Sequence, residues 1–165
     1  MERLEFFDCT EFDLWGFVNK SQYIKSKFKI TEFTNNEVIY YNIGSRSFIN
    51  QSGCLYLDKS NLRKLDKKVL NYNPKIDVRS PINPVCKVIV NYPTEKIGLF
   101  TIDLINKTWR ELLYIISDIY KYVYSNRDKF INIYGHSVYE LYLYDIVIYQ
   151  RPNEEVSYIY LSIDS

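Results

Sequence analysis

Residues 108–125 constrain this chain most. Thr108-Trp-Arg-Glu111 has the spacing of a capping box, in which the threonine hydroxyl and the glutamate carboxylate each satisfy a backbone donor that the first helical turn leaves orphaned. Trp109, Leu112, Leu113, Ile116, Ile119, Tyr120 and Val123 then recur three and four positions apart, giving one unbroken apolar stripe. Arg110, Ser117, Asp118 and Lys121 are expected on the opposite side, and Asn126 is expected to end the helix in a left-handed conformation. A stripe of this width has to be covered by other parts of the chain.

The segments flanking the helix alternate with the period of strands. In residues 85–92, Cys86, Val88 and Val90 share one face while Lys87 and Asn91 take the other; in 97–104, Phe100, Ile102 and Leu104 point inward. Pro93 between them predicts a turn and hence a hairpin. After the helix, residues 130–134 read as a short strand ending at Gly135, Ser137 to Glu140 as one helical turn, and 144–150 and 156–163 as strands joined by Arg151-Pro-Asn-Glu154. The fold class is therefore α+β, a mixed sheet packed on one long helix at 108–125. The element order over residues 85–163 predicts a β-grasp, ubiquitin-like arrangement. Conjugation of the ubiquitin kind is not expected, because the sequence ends Ile163-Asp164-Ser165 without the paired glycines.

The first half gives weaker signals. Thr10 caps an expected helix carrying Phe12, Trp15 and Val18; residues 37–43 and 54–57 read as strands; residues 60–70 read as a short helix with Leu62, Leu65 and Val69 inward. Three prolines in residues 71–84 mark irregular chain between an N-terminal segment, 1–70, and the grasp-like segment, 85–165. Each piece is small for a core of its own, so residues 1–165 are expected to form a single domain.

Tyrosine is the unusual constituent: 17 tyrosines stand beside nine phenylalanines, and alanine does not occur. The abundant types have A/T-rich codons, so a biased genome explains much of this; a large amphipathic contact surface is the functional alternative. Lys+Arg is 21 against Asp+Glu 20, which leaves no global field of the kind phosphate-driven binding needs. Cys9, Cys54 and Cys86 are odd in number and form no C-x-x-C pair, and no signal peptide is recognisable, so free thiols in a reducing, cytoplasmic setting are expected. Apolar runs are far too short to span a membrane, and no lipidation signal appears.

Motifs that carry chemistry by themselves are missing. The five glycines are isolated, so neither Walker-type nor dinucleotide loops can be built, and no cofactor is expected. With His136 the single histidine and the cysteines scattered, no metal site is expected. The conceivable catalytic set is His136 with Cys54 or Cys9 as nucleophile and Glu140 as orienting carboxylate; a strand-to-helix corner at Tyr134-Gly-His-Ser137 is the simpler reading. Cys86 lies on an apolar strand face, where thiols are quiet. The one basic cluster is residues 59–68: on a helix, Arg63, Lys64, Lys67 and Lys68 share the face opposite Leu62, Leu65 and Val69, with Tyr72 nearby for base stacking. A solvated face explains it as well.

Val88 to Pro93, Thr108-Trp-Arg-Glu-Leu112, Tyr120 and Tyr124, Gly135-His136, Glu140-Leu141 and Asp164-Ser165 together resemble an uncharacterised small-protein family of large nucleocytoplasmic DNA viruses. The resemblance covers residues 85–165 and departs at Ser125-Asn-Arg-Asp128, where the family carries an acidic run. It implies no activity, and it implies a viral origin with the host cytoplasm or virion as location. The expected function is a non-enzymatic protein-protein interaction or structural module, bound to another protein or to itself through a tyrosine-rich sheet face that includes Tyr158 and Tyr160, with residues 156–163 pairing at a sheet edge. The alternatives are nucleic-acid binding through residues 59–68 and tyrosines, and a small Cys/His-dependent enzyme.

Overall fold

The structure, a computed structural model, describes residues 4–5, 22, 24–43, 55–58, 62, 75–76, 85–94, 97–126, 137–151 and 157–164. The helix, α1 (Trp109–Ser125), starts as its sequence requires: Thr108 Oγ1 accepts from the Glu111 amide at 3.1 Å, and Glu111 Oε1 accepts from the Thr108 amide at 3.3 Å. Its end differs from expectation. Asn126 lies at φ −128°, outside the left-handed region; its side-chain amide donates to the Tyr122 carbonyl at 2.9 Å and so caps the last turn without a special backbone conformation. Ser117 also departs from the polar side assigned to it. It is buried between Leu113 and Tyr120 on the apolar stripe, and its hydroxyl donates to the Leu57 carbonyl, which meets the cost of burying both groups.

The stripe packs on a mixed sheet of seven strands: β1 (Leu4–Glu5), β2 (Val38–Asn42), β3 (Leu55–Tyr56), β4 (Val85–Val90), β5 (Gly98–Asp103), β6 (Tyr142–Tyr149) and β7 (Ser157–Asp164). The order is β1-β5-β4-β7-β6-β2, with β3 also paired to β6. Only the β4–β7 pair among these is parallel. The chain is thus α+β, as its periodicities predict. Strands from before residue 60 supply both edges, β1 on one side and β2 and β3 in succession along β6 on the other, while residues 85–164 supply the centre.

One expectation about pairing is corrected. The strand predicted at 156–163 is expected at a sheet edge, but β7 lies between β4 and β6 and is hydrogen-bonded on both sides. The reason lies in its residues: Ser157, Ile159 and Leu161 are buried on the helix face, and Tyr158 and Tyr160 are half-buried on the other, a pattern suited to an interior strand.

Cys86, Val88 and Val90 of β4, Phe100 and Ile102 of β5, and Ile146 and Ile148 of β6 meet α1 in the main core. Tyr120 of the helix is fully buried, and its hydroxyl donates to the Tyr92 carbonyl at 2.8 Å, tying α1 to the connection between β4 and β5. Burial pushes that phenol well above its ordinary pKa. From the first half, Tyr41 of β2 stacks on Trp109 with ring centroids 4.2 Å apart. A single turn of 3-10 helix, Val138–Glu140, leads into β6 where one helical turn is expected. The expected helix near Thr10, the strand at 130–134, the turn after Arg151 and nearly all of the 60–70 helix lie outside the described residues.

Candidate interaction face

The outer face of the sheet, away from α1, has two unequal halves. One half is covered. Ile24, Phe28 and Ile30 pack on Ile89, Ile97 and Leu99, with Tyr149, Tyr158 and Tyr160 around them. Phe28 meets Tyr158 at 4.8 Å between ring centroids, and Phe33 sits edge-on to Tyr149 at 5.3 Å. The segment is latched at its far end. Glu37 accepts from the Thr34 amide at 2.8 Å and lies 3.2 Å from Arg151 Nε, whose guanidinium carbon stands 4.1 Å over the Phe33 ring. The Gln150 amide donates to the Glu37 carbonyl at 2.8 Å, which fixes this latch to the end of β6.

The other half carries exposed tyrosines. Tyr40 on β2 is 56% exposed, Tyr56 on β3 46%, and Tyr144 on β6 36%. Tyr142 links two of them, edge-on to Tyr56 at 5.7 Å and to Tyr144 at 5.2 Å. Local geometry explains the grouping. The β6–β7 register passes from Leu143↔Ile163 to Asp145↔Ser162, so Tyr144 is the extra residue of a bulge. On the opposite side of β6, β3 ends its pairing at Leu143 and β2 begins its pairing at Asp145, which sets Tyr144 where the two edge strands meet. Tyr40 lies opposite Val147 on the same face, and Asp164 lies opposite Tyr142.

One tyrosine in each half has a perturbed phenol, and the causes differ. Tyr149, under Phe33, has its pKa raised chiefly by burial. Tyr40 is also raised, but first by its hydrogen bond to Asp145, with some burial and the Asp145 charge adding to it. The exposed half therefore combines edge-on rings at Tyr56, Tyr142 and Tyr144 with one phenol, Tyr40, bonded to the Asp145 carboxylate.

The residues singled out by sequence fall in three places. Tyr158 and Tyr160 lie on the outer face in the covered half, half-buried against the 24–30 segment; Tyr160 takes a hydrogen bond from Asn91 at 3.5 Å. Arg63, Lys64, Lys67, Lys68 and Tyr72, and the catalytic candidates His136, Cys54 and Cys9, lie outside the described residues. Cys86 is fully buried with its thiol pushed up to about 12 by burial, and Gln150 Nε2 donates to its sulfur at 3.8 Å, so it offers no thiolate near neutral pH. Tyr40 and Tyr56 alternate with the buried Tyr41 and Leu55, a signal that marks them as outward-facing, whereas Tyr142 and Tyr144 carry no such mark because the bulge at Tyr144 breaks the alternation of β6.

Among the described residues, no group of three or more His, Cys, Asp or Glu could hold a metal ion, and no helix is long and apolar enough to cross a membrane. No protein-family model, curated protein or solved structure matches the chain.

Proposed function

We propose that the chain is a protein-protein interaction module whose contact surface is the exposed tyrosine half of the outer face, across β2, β3 and β6. One observation carries this reading: Tyr40, Tyr56 and Tyr144, with Tyr142 between two of them, are gathered on one sheet face and keep 36–56% of their surface in solvent. Tyrosine supplies a large contact area with little rotamer entropy to lose, and it anchors partners more often than most surface residues do. The bulge and the junction of two short edge strands are features that aim side chains outward at sheet rims.

The order β5-β4-β7-β6, with β4 and β7 parallel and α1 between β5 and β6 in the chain, supports a β-grasp arrangement for residues 85–163. A viral setting, in virion or host cytoplasm, is supported by the sequence resemblance over residues 85–165 alone.

Selection from a random peptide display library, run in parallel on the wild-type chain and on a Tyr40→Ser/Tyr56→Ser/Tyr144→Ser variant, tests the module. The expected result is a set of peptides that compete with one another for the wild type and fail to bind the variant. Peptides that bind both chains equally would move the contact surface elsewhere.

A further inference from the structure

The covered half of the outer face shows how this protein binds a guanidinium. Arg151 lies 4.1 Å over the Phe33 ring while its Nε reaches Glu37 at 3.2 Å, so a single cation is held by an aromatic face and a carboxylate together. The exposed half presents the same two kinds of acceptor. Tyr40 and Tyr144 offer exposed aromatic rings, and Asp145, hydrogen-bonded to the Tyr40 hydroxyl, offers the carboxylate. The charge of the surrounding strands has one sign: in β2, β3, β6 and β7 the charged residues are Asp145 and Asp164, with no lysine or arginine.

We infer that the exposed tyrosine half takes an arginine-bearing segment of a partner protein, with a guanidinium stacked on Tyr40 or Tyr144 and bonded to Asp145. This rests on the reading of that half as the contact surface and adds the chemistry of what it contacts. Arginine fits better than lysine because its planar group both stacks on a ring and forks onto a carboxylate. A second copy docking face to face would set two surfaces whose strand charges are both negative against each other, which opposes self-association through this surface. Nucleic acid would bring phosphates to the same carboxylates, and aromatic stacking platforms for nucleic acid are ordinarily set in positive grooves.

Fluorescence anisotropy with the full chain and a labelled peptide of alternating arginine and valine tests the inference. The same peptide with lysine, or with the uncharged isostere citrulline, in place of arginine provides the comparison, and a labelled single-stranded oligonucleotide is run beside them. The expected order of affinity is arginine over lysine over citrulline, with the oligonucleotide weakest. Asp145→Asn should weaken the arginine peptide about tenfold and leave the citrulline peptide nearly unchanged. The double variant Tyr40→Ser/Tyr144→Ser should weaken both, which keeps the test open if the Asp145 variant folds poorly. Equal binding of the arginine and citrulline peptides overturns the inference, as does an unchanged Asp145→Asn or tighter binding of the oligonucleotide. If display-selected peptides bind the tyrosine half but are neutral, the interaction reading stands and the arginine inference falls.

Discussion

On one half of the outer face Tyr149, Tyr158 and Tyr160 lie under or beside Phe28, Ile30 and Phe33; on the other, Tyr40, Tyr56 and Tyr144 remain 36–56% exposed. Both sets sit on strands of the same sheet and point away from the same helix. What separates them is the segment at residues 24–37, which packs on β4, β5, β6 and β7 and ends in the Glu37–Arg151 latch. In the first setting tyrosine serves as a core residue with a polar rim. In the second it is a ring left in water, braced by a neighbouring ring at Tyr56 and Tyr144 and by the Asp145 carboxylate at Tyr40. A tyrosine-rich composition is therefore two populations, and tertiary cover assigns each residue to one of them.

The contrast can be tested by substitution, starting from the interior that both halves share. Ile116→Ala removes a fully buried side chain between helix and sheet and should cost about 2–5 kcal/mol in urea unfolding. Phe28→Ala removes the ring that covers Tyr158 and should cost about 3 kcal/mol, measured in the same way. A cost near zero would show that the covered half is not part of the core. Thr108→Ala, which deletes the helix cap but touches neither half, should cost about 1 kcal/mol.

The latch predicts a pH dependence of smaller size. The carboxyl of Glu37 is held below its ordinary pKa of 4.5, first by the Thr34 amide and then, against some desolvation, by the Thr34 hydroxyl and Arg151. A folded-state pKa below the unfolded value adds stability that is fully present above about 4.5 and is lost as the pH falls through the lowered value. Glu37→Gln should therefore be less stable than the wild type near neutral pH, and the difference should close as denaturant titrations are taken to lower pH. A difference that stays constant or widens toward acid would contradict a Glu37 carboxylate stabilised by Thr34 and Arg151. Tyr144→Ser and Tyr56→Ser, on the exposed half, should change stability least, by less than about 0.5 kcal/mol.

Legibility in the sequence followed how local each determinant is. The helix was readable because its cap and stripe lie within one stretch of chain, and the β4–β5 hairpin because both strands alternate around one short connection. Ser117 departs from its expected polar side because its partner, the Leu57 carbonyl, is 60 residues away, and nothing local to a serine on an apolar stripe announces such an acceptor. Asn126 was misread because its side-chain amide replaced the backbone device that asparagine often supplies. β7 differs from the expected edge for a related reason: its apolar content suits an interior strand, but nothing near it names β4, far off in the chain, as the parallel partner. For the site, alternation marks Tyr40 and Tyr158 alike as outward-facing, and nothing near either residue announces that Phe28 will cover one of them. The bulge that groups Tyr144 with its neighbours is likewise a property of register between strands.

Hydroxyl-radical footprinting of the full chain, read residue by residue with mass spectrometry, with and without the arginine-bearing peptide, compares both halves in one experiment. Tyr40, Tyr56 and Tyr144 should oxidise fastest in the free chain and become protected on binding, while Tyr149, Tyr158 and Tyr160 stay slow throughout. Equal oxidation of the two sets in the free chain, or protection that falls on the helix or on the covered half, would contradict the division of the outer face on which the functional reading stands.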